Sequence, residues 1–418
     1  MAMVIITTVM RVKNKDTMYI SLFFNMTILG VNFLVPLLII PIISKYYSFT
    51  DLNEYLFFQS LLALISMISD WGFSTTGVKE LASKVNKKDK LDCLFEIVQF
   101  RVFIFIILFF SVFIILSLFR HESNLNMGSL ILLSALSFSI SPIFYLQYED
   151  KMKCYSIFNL ISKITFIFTV YYVSYNQYQF EYIGTLFFIC YTIVPFVFLS
   201  YIFYQNKRYI SYVTIKRTLA IGKNNTGFLI ASVCSSSYRI FPVMIAGFFF
   251  PLSIEFSAYA IVDRIIRGLS SLIQPISQTM LPIILKKGSS VKIFLSYIFL
   301  GISMSIFIFL FGAYIIEFMA RDDDVLIIGR EYINILAIIP FFVCVSNYFG
   351  NQRLIVEGYI SELNLTLRVI SLFSLVYFIA IYILKLKFVN FMYVSIFSEL
   401  FVLLGFVYAC ATKRISVI

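Results

Sequence analysis

The chain has 418 residues, of which 60% are apolar and 13% charged, and it carries a formal net charge of +11. A soluble domain is about 45–50% apolar and about 25% charged. This composition therefore excludes a soluble globular enzyme, a disordered chain, collagen and a coiled coil, and leaves a polytopic membrane protein.

Allowing about 30–35 residues for each ~20-residue crossing and its loop, the length holds about twelve helices. In chain order, the apolar runs predict an all-α membrane fold with helices over 18–42, 53–73, 102–119, 128–147, 156–174, 183–204, 225–249, 257–283, 293–319, 331–350, 364–386 and 391–411. Each can cross a hydrocarbon layer of about 30 Å. The runs are continuously apolar and do not alternate, which excludes a β-barrel. The opening MAMVIITTVM lacks the flanks and cleavage site of a signal peptide, and Met10 is a candidate true start. The longest inner loops are expected at 74–101 and 205–224. Neither holds a soluble domain or a GxxxxGK[ST] loop, so ATP hydrolysis is not expected. The six cysteines, Cys93, Cys154, Cys190, Cys234, Cys344 and Cys410, form no CxxC pair, so neither a zinc site nor a disulfide framework is expected. His121 is the only histidine, which excludes a histidine metal site or proton relay.

Lysine and arginine set the orientation. With the N-terminus in the cytoplasm, 22 of them fall on the inner side, among them Lys79, Lys84, Lys87, Lys88 and Lys90, while six fall outside and five inside spans. That bias predicts an N-in, C-in protein with an even number of helices. The net charge is thus a topology signal, and no nucleic-acid partner is expected. The central inner loop at 205–224 separates six helices at 1–204 from six at 225–418. PLLIIPIISKYYSFTDLNEY, from Pro36, has a counterpart in PVMIAGFFFPLSIEFSAY, from Pro242: each has a proline late in a helix, an acid in a short outer loop and a tyrosine opening the next helix. Two parallel six-helix bundles around a central cavity are the plan of alternating access. Prolines inside spans (Pro36, Pro142, Pro195, Pro242, Pro275, Pro282, Pro340) are expected to kink them.

The five cations inside spans are Lys163, Arg239, Arg264, Arg267 and Arg368. Such residues face a bundle interior or a wet cavity because lipid cannot solvate them. Lys163 and Arg368 lie near the inner ends, where snorkelling competes with a cavity role. Arg239, Arg264 and Arg267 sit deeper on consecutive helices. Asp263 can pair with Arg264 or Arg267, and Glu399 and Asp70 are expected away from this level, which leaves a surplus of about two positive charges. That surplus suits an anionic ligand held by guanidinium forks; the alternative is a structural salt-bridge network. Asp70, Glu149, Asp263, Glu357 and Glu399 are the acids considered for ion coupling, Glu399 either as a buried neutral acid or as a partner of Arg368.

Three motifs resemble one family. Pro36-Leu37-Leu38-Ile39-Ile40-Pro41 looks like its PLL-x-x-P helix end, Asp70-Trp71-Gly72-Phe73 like its D-[FY]-G-F, and Pro142 to Met152 like its P-x-W-x-F-Q-G-x-E-x-M, with Gln147 kept and Tyr148 in place of glycine. Together with the stretch from Arg239 to Pro282, they resemble the polysaccharide-transport branch of the MATE-like (MOP) flippase superfamily, typified by Wzx O-antigen flippases. The resemblance implies a transporter, not an enzyme, in the bacterial inner membrane. It implies movement of undecaprenyl-diphosphate-linked O-units from the cytoplasmic to the periplasmic leaflet, with no bound cofactor and with proton or sodium coupling left open. A polysaccharide polymerase and chain-length proteins would be partners. Arg239, Arg264, Arg267, Lys163 and Arg368 would hold the anionic cargo, and Asp70 and Gln147, at inner helix ends, are candidates for a gate. The competing readings are a small-molecule exporter of the same fold, which favours a negative cavity, and a membrane-embedded polymerase, which favours a large outer loop. The outer run Asp322-Asp323-Asp324 reads as a solvated turn.

Overall fold

The computed structural model describes residues 15–119, 125–149, 151–207, 214–274, 276, 277, 280, 284 and 291–413. Met10, His121, Pro275 and Pro282 lie outside them. Among the described residues every regular element is a helix, as expected where lipid forces each backbone group to find its partner within its own segment. The helices are α1 (Lys15–Tyr46), α2 (Phe49–Asp70), α3 (Phe73–Ala82), α4 (Lys87–Phe119), α5 (Leu125–Leu133), α6 (Leu136–Ser139), α7 (Ile143–Tyr148), α8 (Met152–Tyr175), α9 (Glu181–Gln205) and α10 (Ile215–Ser236). They continue as α11 (Phe241–Phe249), α12 (Ile254–Ser271), α13 (Val291–Met319), α14 (Asp323–Leu336), α15 (Ile339–Asn347), a π-helix (Tyr348–Leu354), α16 (Ile360–Ile383) and α17 (Asn390–Thr412).

Helices lie in all twelve stretches expected from the sequence. Among the described residues nine are long and apolar enough to cross a membrane, or ten if α10 and α11, bent by 59°, count as one span. Of the remaining two stretches, α12 carries Asp263, Arg264 and Arg267, and the apolar part of α1 is the shorter Gly30–Tyr46. The prolines mark the breaks: Pro242 and Pro340 open α11 and α15, Pro142 precedes α7, and Pro36 and Pro195 lie within α1 and α9. A ring that replaces the N–H is tolerated in the first turn and bends an interior.

Three segments expected as loops are helical. The basic stretch after Asp70 forms α3 and the first turns of α4, and residues 215–224 belong to α10. Their charges lie on helices, where polar residues pass unnoticed in a search for apolar runs. The acidic run near residue 323 is a helix start: Asp322 is the N-cap of α14, its carboxylate accepting from the N–H groups of Asp324 (3.0 Å) and Val325 (3.3 Å). Asp323 and Asp324 fill the first turn, where the helix dipole favours acids.

By their internal contacts the residues divide into two units, Met1–Val35 with Leu61–Ser232, and Pro36–Ser60 with Val233–Ile418. In the first unit α8 and α5 pack on α9, and α3 packs between α4 and α7 around Phe73, Leu94, Phe100 and Phe144. Much of α4 faces outward through Phe103, Ile106, Phe110 and Ile114, the kind of surface that acyl chains cover. In the second unit α12 packs on α14, α13 on α15, and α17 on both α15 and α16.

Candidate functional site

Within the second unit a cavity of about 140 Å³ opens where α10, α15, the π-helix, α16 and α17 meet. Its polar wall is built from Ser235, Arg239, Ser346, Asn347 and Asn351, and its apolar wall from Leu363, Leu367, Val402 and Phe406. The π-helix matters here. An extra residue per turn, a feature frequent at functional sites, presents Gly350 and Asn351 to the cavity next to Asn347 of α15. Gly350 lets a ring approach closely, because a Cβ there would stand 2.8 Å from Cε2 of Phe406. Behind the wall Asn347 Oδ1 accepts from Ser277 Oγ at 3.0 Å and from Asn351 Nδ2. Gln352, fully buried, donates to Tyr297 Oη (3.0 Å) and to the carbonyl of Ser277 (2.8 Å).

Arg239 is the cation on this cavity wall. Its side chain is 38% exposed, while that of its partner Glu399 on α17 is 1% exposed. Nε donates to Glu399 Oε1 at 3.0 Å and Nη2 to Oε2 at 3.4 Å, and the guanidinium lies 5.3 Å from the Tyr238 ring centre. The pairing uses one edge of the guanidinium and leaves its Nη1 end out of both bonds. This corrects the expectation that Glu399 lies away from the level of Arg239; Arg368, one of the two alternatives for Glu399, is an exposed residue of α16.

The other two central arginines are on α12. Asp263 pairs with Arg267, four residues on, whose Nε lies 2.8 Å from both carboxylate oxygens. Arg264 donates from Nη2 to the Leu56 carbonyl at 3.4 Å and lies 5.9 Å from the Tyr55 ring centre. Neither lines the cavity. Three arginines with Glu399 and Asp263 leave a formal charge of one positive unit, where the sequence led to an expectation of two. The difference is Glu399, brought to Arg239 from 160 positions away.

In the first unit Lys163 is 2% exposed, so it is buried rather than snorkelling, and its ammonium lies over the Tyr191 ring, which itself stacks on Phe187 at 4.0 Å. Asp70 is ion-paired to Arg101 of α4. Its other oxygen accepts from Ser74 N (3.2 Å) and Oγ (2.8 Å), which starts α3. Arg101 also donates to the Ser141 carbonyl at 3.3 Å and lies against the rings of Phe144 and Phe73. The next two residues of this motif tie the turn to α10. Trp71 Nε1 donates to the Gly222 carbonyl at 3.0 Å, Asn225 donates to the Trp71 carbonyl at 2.6 Å, and Gly72 adopts φ +80°. Gln147 lies in the last turn of α7, and Glu149, its C-cap, lies 3.5 Å from Lys151 on a solvent-accessible turn. Asn347, Asn351 and Arg101 were missed from the sequence. Polar residues grouped as Asn347-Tyr348-Phe349-Gly350-Asn351 at the end of an apolar run were the signal available for the first two.

No family model matches the chain. A curated Escherichia coli (strain K12) protein named "Putative O-antigen transporter" is 22% identical over 383 residues, which cover 87% of this chain and 89% of that one. An inward-facing multidrug resistance MATE family transporter of the MOP superfamily superposes with a TM-score of 0.61 at 13% identity, over 93% of this chain and 99% of that one. A MOP superfamily transporter from Pyrococcus furiosus Vc1, for which reverse polarity of the binding pocket suggests a different function, superposes with a TM-score of 0.54 at 14% identity over 93% and 94%. The chain therefore has the all-helical fold seen in MATE and MOP superfamily transporters.

Proposed function

We propose that this chain is a multi-pass membrane transporter that moves undecaprenyl-diphosphate-linked O-units from the cytoplasmic to the periplasmic leaflet of a bacterial inner membrane. It would work by alternating access between bundles at 1–204 and 225–418. A polysaccharide polymerase and chain-length proteins would act on the delivered unit. The observation that carries the reading is Arg239, a cation half-turned to a cavity whose other polar groups are amides and hydroxyls. A lipid-linked oligosaccharide is anionic at its linkage and covered in hydroxyls, and this lining offers a counter-charge and hydrogen-bond groups for both. The similarity along most of the chain to a protein named as an O-antigen transporter supports it. A cation exporter is disfavoured because the charged cluster is net positive. Glu399 and Asp263 are the carboxylates proposed for proton or sodium coupling.

The test is surface polysaccharide in cells that depend on this chain. Arg239→Ala should lower it about 10-fold or more, the loss of roughly 1.4 kcal/mol of cargo interaction, with the protein still at normal level in the membrane. Arg239→Lys should restore part, keeping charge without the fork. Normal polysaccharide from Arg239→Ala at normal expression would overturn the reading.

A further inference from the structure

Resting on that transporter reading, we propose that Asn347 is a second donor to the anionic linkage of the cargo, beside Arg239. Gln352, Tyr297 and Ser277 are then positioning residues, whose hydrogen bonds hold the Asn347 amide nitrogen toward the cavity.

One group in this network can only accept. It is the main-chain carbonyl of Ser277, so the atom of the fully buried Gln352 side chain that lies 2.8 Å from it is the nitrogen. The reversed amide would set two acceptors together. Gln352 keeps this sense although its Oε1 is then without a partner among the described residues. The same nitrogen lies 3.0 Å from Tyr297 Oη, which therefore accepts from it. Tyr297 is buried on α13, and its own hydrogen is left for Ser277 Oγ at 2.9 Å. The Ser277 hydroxyl accepts there and sends its hydrogen to the Asn347 amide at 3.0 Å, so the atom it meets is Oδ1. The opposite sense, with the Asn347 nitrogen donating to Ser277, would leave the buried Tyr297 hydroxyl with no acceptor. An unmade buried hydrogen bond costs more than a made one contributes.

Asn351 obeys the same order, its Nδ2 donating to the same Oδ1. With Oδ1 committed to two donors, Nδ2 is the end of the Asn347 amide left for the cavity, which Asn347 and Arg239 both line. Glu399 takes the Nε and Nη2 bonds of Arg239. The Nη1 end and Asn347 Nδ2 are thus the N–H groups offered to a phosphate oxygen, which accepts from both. A reversed Asn347 would turn an acceptor toward that oxygen and repel it. A network behind the wall therefore decides whether the wall favours an anion. Asn351 Oδ1 is the acceptor of the pair, suited to a hydroxyl of the sugar next to the linkage.

The test uses the purified full chain in phosphatidylcholine nanodiscs. Inorganic pyrophosphate is titrated by isothermal calorimetry, and the unfolding midpoint of each variant is measured alongside. Asn347→Ala should weaken pyrophosphate about 10- to 100-fold, the range for one hydrogen bond to a charged group. Tyr297→Phe and Ser277→Ala should each weaken it about 3- to 10-fold, the range for a neutral hydrogen bond. On the Asn347→Ala background neither should weaken it further, because both act through that amide. A merely distorted cavity would show the loss in both backgrounds. Ser277→Ala, which removes a single oxygen, carries the test where Tyr297→Phe does not fold. Arg330→Gln, at an exposed pair with Glu317, should bind as the parent does. The proposal is overturned by a parent chain that binds no pyrophosphate, by an Asn347→Ala chain that binds it as the parent does, or by losses from Ser277→Ala that persist in full on the Asn347→Ala background. Any of these together with polysaccharide loss in Arg239→Ala cells leaves the transporter reading standing and removes only the role of Asn347. Pyrophosphate binding as expected, with normal polysaccharide in Arg239→Ala cells, sinks the transporter reading and leaves the anion site.

Discussion

Replacing Asp70 with alanine should destabilise the first unit far more than an exposed acid would, and the size follows from what is left behind. Arg101 has a side-chain exposure of 3%, against 21% for Asp70. Without the carboxylate its charge keeps, among the described residues, the Ser141 carbonyl at 3.3 Å and the rings of Phe73 and Phe144. Orphaning a buried charge costs about 3–5 kcal/mol; water access on the Asp70 side argues for the lower end, about 3 kcal/mol. Losing the two bonds from Ser74 that start α3 adds about 1 kcal/mol. Arg101→Met is milder, about 1–2 kcal/mol, because Asp70 keeps Ser74 and is partly wetted. The double variant should then cost about 3 kcal/mol, well short of the sum, a coupling of about 2 kcal/mol. The assay is thermal and denaturant unfolding of the full chain in nanodiscs, read by fluorescence of Trp71, the only tryptophan and the neighbour of Asp70. Additive single variants, or an Asp70→Ala protein as stable as the parent, would refute the reasoning. Unaltered stability with blocked transport would instead give Asp70 the gate role that its helix-end position first suggested.

Gly72→Ala forces a side chain into a left-handed backbone and sets a Cβ 2.8 Å from Phe228 Cβ. A cost of about 1–3 kcal/mol is expected and is measured in the same unfolding experiment. Arg267→Met strands Asp263, whose side chain is 9% exposed, and should cost about 3 kcal/mol. Adding Asp263→Asn should recover part of it, and no recovery would mean that the pair is not what holds α12 in place. Gly350→Ala places its Cβ against a movable ring, Phe406, so it should leave the unfolding midpoint within a few degrees while lowering surface polysaccharide, and unchanged polysaccharide would show that Phe406 does not shape the cavity.

Some of this was written in the residue order. Continuous apolar runs can satisfy their backbone in lipid only as helices, so the fold class and the helix-bearing stretches followed from composition and spacing alone. The prolines at 142, 242 and 340 forecast breaks for the same local reason: each lacks an N–H wherever it sits. The pairing of Asp263 was half legible, since residues four apart share a helix face. The nearest neighbours in sequence nonetheless left Arg264 and Arg267 equally eligible.

The tertiary structure decided everything that depends on distance along the chain. Arg239 and Glu399 are 160 positions apart and meet because α11, which follows Arg239, packs on α17 in one unit; Asp70 and Arg101 meet because α2 ends beside α4. A count of charges gives their number and leaves their partners open, and the partner fixes how much charge remains for a ligand. The cavity has the same origin. Its polar wall depends on a π-helical turn at Tyr348–Leu354, and its apolar wall on a glycine that admits Phe406. Periodicity read along the chain carries the local helix register, whereas a void is set by how side chains from several helices fail to fill the space between them.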